Sequence, residues 1–184
     1  DDDPELVRSA APFSLKLIES LLAETPAHRG LRLAAASGFT QYAFAFLEQD
    51  ADLMADQDFA GASLLRTRAR RLYLRARDHG LRGLESAHDG FSRRLSADPK
   101  AAVRAAVRAD VPLLFWTAAA WGAAISLSKD NADLIADQVR VEALIDRALE
   151  LDEGFDAGAI HAFLITYEMA RQGAAGEPAA RARR

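Results

Sequence analysis

Asp110-Val-Pro-Leu-Leu-Phe-Trp-Thr-Ala-Ala-Ala-Trp-Gly-Ala-Ala-Ile-Ser-Leu-Ser-Lys129 carries no charge between its two ends and holds both tryptophans of the chain, Trp116 and Trp121. A helix that is apolar on every side must be enclosed, by protein or by lipid. Roughly 18 consecutive apolar residues suffice to suggest a membrane span. Pro112, Thr117, Gly122, Ser126 and Ser128 dilute this run, and alanine supplies much of the rest. The composition therefore predicts the central helix of a soluble protein rather than a membrane span. Asp110 stands where an N-cap is needed, and Pro112 suits a first helical turn.

The segments around this helix read as helices too. β-branched residues are sparse and period-two alternation is weak, so few strands are expected. After Pro4 an apolar stripe runs through Leu6, Val7, Ala10, Leu15, Leu17, Ile18, Leu21 and Leu22, with Pro12 placed to kink or divide it. A second helix begins near Gly30 and carries Leu33, Ala36, Phe39, Tyr42, Ala43, Phe46 and Leu47 before turning acidic. A third spans about Phe59 to Leu84, with Leu65, Ala69, Leu72, Tyr73, Ala76, Gly80 and Leu84 on one face. A short helix follows over Lys100–Arg108, then the tryptophan helix, then helices over Ala132–Leu151 and about Ala157–Arg171. Helix pairs joined by short links suggest a repeat array. Ala69-x3-Tyr73-x2-Ala76 fits the second helix of a tetratricopeptide repeat, where small residues permit close approach and the aromatic fills the gap. The expected fold is all-α, a TPR-like solenoid of antiparallel helix pairs. It forms one domain over residues 1–171, with a disordered tail over 172–184.

Composition narrows function by exclusion. At 184 residues, half of them apolar, the chain can bury a sizeable core. Its net charge of −4 does not suggest a nucleic-acid partner. Without cysteine there is no disulfide, thiolate metal site or cysteine nucleophile. His28, His79, His88 and His161 show no metal-ligand spacing, and there is no phosphate loop or nucleophile elbow. Asp78-His79 and His88-Asp89 read as helix-end or turn chemistry. No catalytic constellation, metal site or cofactor site is expected. The arginine run from Arg66 to Arg82 reads as a solvated face paired with Asp52, Asp56 and Asp58. Its alternative is a patch for an anionic ligand or an acidic partner.

The aromatics are the stronger lead. Phe39, Tyr42 and Phe46 share a helix face, whereas Trp116 and Trp121 diverge by about 140°. One tryptophan should face the core and the other a cavity or a neighbouring subunit. The candidate ligand-binding residues are Trp116, Trp121, Tyr42, Phe46, Phe39 and His161. The aromatics would make apolar contact, and His161 or Tyr42 would offer a polar handle.

Four segments resemble the T component of TPR-protein-associated TRAP transporters, the TatT family. They are Leu33–Phe46, Arg70–Leu84, the tryptophan motif Asp110–Gly122, and Ala148-Leu-Glu-Leu-Asp152. The likeness runs from Asp3 to about Arg171. The resemblance implies a non-enzymatic, periplasmic accessory subunit, anchored in many members through a lipid on an upstream cysteine. The chain starts at Asp1 without methionine, which fits either a piece cut from a longer chain or removal of a targeting segment, and any lipid-anchor cysteine would lie upstream. The implied partner is the periplasmic solute-binding (P) subunit serving an ion-driven permease, and a homo-oligomer such as a trimer is expected. The same reading implies binding or channelling of an apolar or amphipathic organic solute. The alternative is a TPR-like protein-interaction scaffold that binds no small molecule.

Overall fold

The computed structural model describes residues 3–170, and these form helices joined by short turns, with no strand. The expected tail over 172–184 lies outside the described residues. Helix α1 (Pro4–Glu24) starts where the Asp3 carboxylate accepts from the Glu5 and Leu6 amides at 3.1 and 3.0 Å. It runs through Pro12 without dividing. Helix α2 (Arg29–Tyr42) is capped by the His28 ring, which accepts from the Leu31 amide at 3.1 Å. The chain then widens into a π-helical segment (Ala43–Glu48) and tightens again into α3 (Gln49–Met54). The sequence reading expected an ordinary helix here.

Helix α4 (Phe59–Glu85) starts on Asp58, whose carboxylate accepts from the Gly61 amide at 2.8 Å. Two short helices follow, α5 (Phe91–Ala97) and α6 (Pro99–Val103). The helix expected over Lys100–Arg108 stops early. The Ala106 carbonyl instead accepts from the Arg147 guanidinium at 2.8 Å, and a 3-10 turn (Arg108–Asp110) leads into α7 (Val111–Ser126). The helix expected over Ala132–Leu151 is divided into α8 (Ala132–Ala136) and α9 (Gln138–Leu151). At the junction Asp137 accepts from Trp121 Nε1–H at 3.2 Å and pairs with Arg140. A further 3-10 turn (Phe155–Gly158) leads to α10 (Ala159–Ala170).

Contacts along the helices give their directions. Arg66 meets Asp52, Tyr73 meets Glu48 and His79 meets Phe39, so α4 runs antiparallel to the α2–α3 helix. A β-carbon on Gly83 would meet Leu113 and one on Gly80 would meet Thr117, while Arg77 lies over Trp121. Helix α7 is therefore antiparallel to α4. The two backbones approach so closely at Gly80 that a β-carbon there would lie 3.0 Å from Thr117 Cβ. Ala69, Tyr73 and Ala76, the repeat-like triplet, are fully buried in these seams.

Helix α7 is the axis of the molecule. Val111, Leu113, Leu114, Phe115, Thr117, Ala118, Ala120, Trp121, Gly122, Ala124 and Ile125 are buried and cover most of the helix circumference, while Pro112, Trp116, Ala119, Ala123 and Ser126 form one half-buried stripe. Protein encloses it through α4, α9 and α10, and its 16 residues give a length of about 24 Å, short of the roughly 30 Å hydrocarbon core of a bilayer. Among the described residues no helix is long and apolar enough to cross a membrane.

Candidate functional site

The six sequence candidates fall in three places. Phe39 is buried between α2 and α4, its ring parallel to His79 at 5.8 Å and under Arg75 at 5.3 Å. Tyr42 and Phe46 pair at 5.4 Å at the entry to the π segment, with the Arg8 guanidinium 4.8 Å above the Phe46 ring. The two tryptophans diverge as the spacing predicts. Trp121 is buried, stacked under Arg77 at 5.0 Å and tied to Asp137. Trp116 is half-buried and meets the Phe115 ring edge-on at 5.1 Å. His161 is half-buried on α10, with Nε2 3.4 Å from Glu153. Among the described residues no ring contact joins the Phe39–Tyr42–Phe46 group to the tryptophans.

An aromatic layer continues from Trp116 through residues the sequence reading did not single out. Phe115 meets Phe155 at 5.4 Å and Phe163 at 6.4 Å, and Phe163 stacks on Tyr167 at 5.3 Å. This layer lies between α7 and α10, and Gly122 lets it close down. A β-carbon at Gly122 would lie 3.2 Å from both Phe163 and Tyr167. The link into α10 has left-handed backbone at Asp156 (φ 47°), Ala157 (φ 54°) and Gly158 (φ 90°), a conformation disfavoured for the first two residues. A separate groove of about 1090 Å³ lies between α6, α9 and α10. Val103, Ala143 and Leu164 line it beneath Lys100, Arg104 and Glu150, and none of the six candidates reaches it.

Three buried polar networks lie among the helices. In the first, Arg32 is 5% exposed and donates to the Pro26 carbonyl at 3.0 and 2.8 Å and to His79 Nδ1 at 2.9 Å. Because arginine only donates, His79 Nδ1 is the acceptor, and Nε2–H donates to Glu19 at 3.2 Å. Burial pushes the His79 pKa down, partly offset by the Glu19 bond. Burial pushes Glu19 up, but hydrogen bonds from Arg75, Lys16 and His79 outweigh it and bring Glu19 down to about 2.

In the second network, Asp110 is fully buried. It accepts from the Val107 amide at 2.7 Å, contacts His88 Nε2 at 2.9 Å and pairs with Arg29. It precedes α7 as expected, but its carboxylate turns back to these partners instead of capping the helix. Burial raises its pKa, and the Val107, His88 and Arg29 contacts more than reverse that. In the third, Tyr73 Oη donates to Glu48 at 2.6 Å, and burial pushes both pKa values up. Periodicity hides all three, because each joins side chains from distant parts of the chain. His79 read as ordinary helix-end chemistry, yet it sits inside α4.

These networks join helices and leave no nucleophile beside a free base. Among the described residues no group of three His, Asp or Glu side chains is placed to hold a metal ion.

The sequence is 31% identical over 164 residues to an uncharacterized protein of Treponema pallidum (strain Nichols), a match covering 87% of this chain and 51% of that protein. The chain thus spans about half the length of this curated relative. The family model described as TRAP transporter T-component matches residues 1–184, the whole chain. The largely buried central helix, with its two diverging tryptophans, accordingly belongs to a member of the TRAP transporter T-component family.

Proposed function

We propose that this chain is a non-enzymatic accessory subunit of a TRAP-type transporter that works in the periplasm. It docks the solute-binding subunit and passes an apolar or amphipathic organic solute along its aromatic side chains. Family membership supports the transporter role. The observation that carries solute contact is the aromatic layer between α7 and α10, with half-exposed Trp116 at one end. Rings there offer apolar area at low side-chain entropy cost. Helix α10 covers the layer from the far side of a left-handed link, so the cover is one helix on a short hinge.

Trp116 leads the candidate set, and His161 supplies a polar group on the covering helix. Trp121, Phe39, Tyr42 and Phe46 support the helices that position them. The test is solute handling by Trp116→Ala. The variant should fold with an unchanged circular dichroism spectrum and lose solute-induced change in tryptophan fluorescence. A folded variant that responds to solute as the parent does removes Trp116 from the site.

A second reading, a TPR-like scaffold without small-molecule binding, is favoured by the occupied surroundings of four of the six candidates. Phe39 is held between His79 and Arg75, Trp121 between Arg77 and Asp137, and Phe46 with Tyr42 beneath Arg8. Consecutive antiparallel helices also suit a repeat scaffold. A complex with the solute-binding subunit that forms equally with and without solute would favour this reading.

A further inference from the structure

The arginine run of α4 divides in two once the helix is folded. Arg66 turns to Asp52 at 2.8 Å, and Arg77 turns to Asp78 at 2.7 Å and over Trp121. Arg68, Arg71, Arg75 and Arg82 are exposed, and they lie on the opposite edge of the helix. With Leu64 and Asp78 they follow the spacing 64, 68, 71, 75, 78, 82. These steps of four and three keep all six on one narrow stripe at about 100° per residue. From Arg68 to Arg82 the stripe is about 21 Å long at 1.5 Å per residue.

Only one of its arginines is neutralised. Arg75 pairs with Glu19 across from α1, beside Lys16. Among the described residues the side chains of Arg68, Arg71 and Arg82 form no hydrogen bond or ion pair. The acidic end of the preceding helix, which the sequence reading expected to pair with this run, reaches Arg66 alone. At the head of the stripe Leu64 is 73% exposed. The stripe therefore joins uncompensated guanidinium groups to an exposed apolar side chain, and arginine is among the residues enriched at the energetic centres of interfaces. Its base is rigid, since α4 is packed on α2 and α7 along its inner faces.

We infer that the Leu64–Arg68–Arg71–Arg75–Arg82 stripe is the docking surface for an acidic protein partner, one that presents carboxylates along a helix or ridge. This rests on the reading that the chain docks a second subunit, and it specifies the chemistry of that contact. Planar guanidinium groups match carboxylates in paired hydrogen bonds, which an ammonium cannot reproduce. The chain's net charge of −4 opposes long-range attraction to an extended polyanion, so a local stripe suits a local acidic ridge. Arg75, already fixed by Glu19, gives the stripe a pre-positioned centre.

The experiment measures affinity for the solute-binding subunit by biolayer interferometry across a salt series, using the full chain. Arg68→Glu with Arg71→Glu should weaken binding by about tenfold or more and flatten the salt dependence. Arg66→Ala, off the stripe, should leave both unchanged, and thermal melts confirm that each variant is folded. Arg68→Lys with Arg71→Lys should keep the salt dependence and lose part of the affinity. Stripe variants that bind as the parent does overturn the inference and leave the docking reading intact. A parent chain that does not bind the subunit overturns the docking reading, and the inference with it. Stripe-dependent sedimentation with phosphatidylglycerol vesicles would assign the stripe to a lipid surface and overturn the protein partner.

Discussion

Gly80→Ala tests the α4–α7 contact on which the whole arrangement depends. In an exposed helix this change would add about 1 kcal/mol of stability, because alanine is the better helix former. At Gly80 the new methyl group would run into Thr117 Oγ1, and would lie 3.0 Å from Thr117 Cβ and 3.3 Å from its Cα. Rotating the hydroxyl away would break its 2.5 Å bond to the Leu113 carbonyl, at a cost of about 1 kcal/mol. Rotation cannot relieve the approach to the backbone, so the helices must part. Overpacking of this kind costs about 1–3 kcal/mol. After subtracting the propensity gain we expect a net loss of about 2 kcal/mol, or a fall in Tm of about 4–8 °C for a chain of this size. Urea unfolding followed by circular dichroism measures the loss. Gly154→Ala is the control: no atom lies within 4 Å of a β-carbon there, and a gain of about 0.4–1 kcal/mol is expected. Adding Thr117→Ala to Gly80→Ala should recover part of the loss. A Gly80→Ala protein as stable as the parent would refute the close crossing.

Asp110→Ala should cost about 3–5 kcal/mol, since it removes the buried charge facing Arg29 and His88 and the acceptor for the Val107 amide. A loss below about 1 kcal/mol in urea unfolding would show that the network contributes little. Stability should also fall with acid in two stages. His79 is held below its ordinary pKa, so its contribution is complete above about pH 6.5 and is lost as pH falls through the depressed value. Glu19, lowered to about 2, contributes fully above about pH 4.3 and loses that contribution as pH falls towards 2. Thermal melts between pH 7.5 and 3 should show both stages, and His79→Gln should flatten the upper one; an unchanged upper stage would exclude His79 as its source.

The helices and the core were legible because each has a local signature. The tryptophan helix declared itself through the absence of charge. Helix α4 could be bounded from Phe59 almost to its end, because its small and aromatic residues recur at steps of three and four. What was not legible depends on partners far apart in sequence. Arg147 reaches back to the Ala106 carbonyl beyond the early end of one helix, and Asp137 stands where another divides and receives Trp121. The candidate site was read only in part. The aromatic faces and the divergence of the tryptophans follow from helical spacing. The layer through Phe115, Phe155, Phe163 and Tyr167 depends on how α10 folds back, which spacing within one helix does not specify. The tertiary fold also separates Phe39, Tyr42 and Phe46 from the tryptophans, although all read alike as aromatic helix faces.

The wide turn at Ala43–Glu48 amounts to one residue inserted into a helix and retained there. Buried positions Ala43, Leu47 and Ala51 advance by four, a step that in an α-helix would carry the face around by about 40° each time. The wider turn cancels that drift and keeps Glu48 opposite Tyr73. A homologue one residue shorter here would turn its following helix by about 100° and carry this carboxylate away from the phenol. Across the family, then, the length of this helix and the identity of the Glu48–Tyr73 pair should evolve as one character.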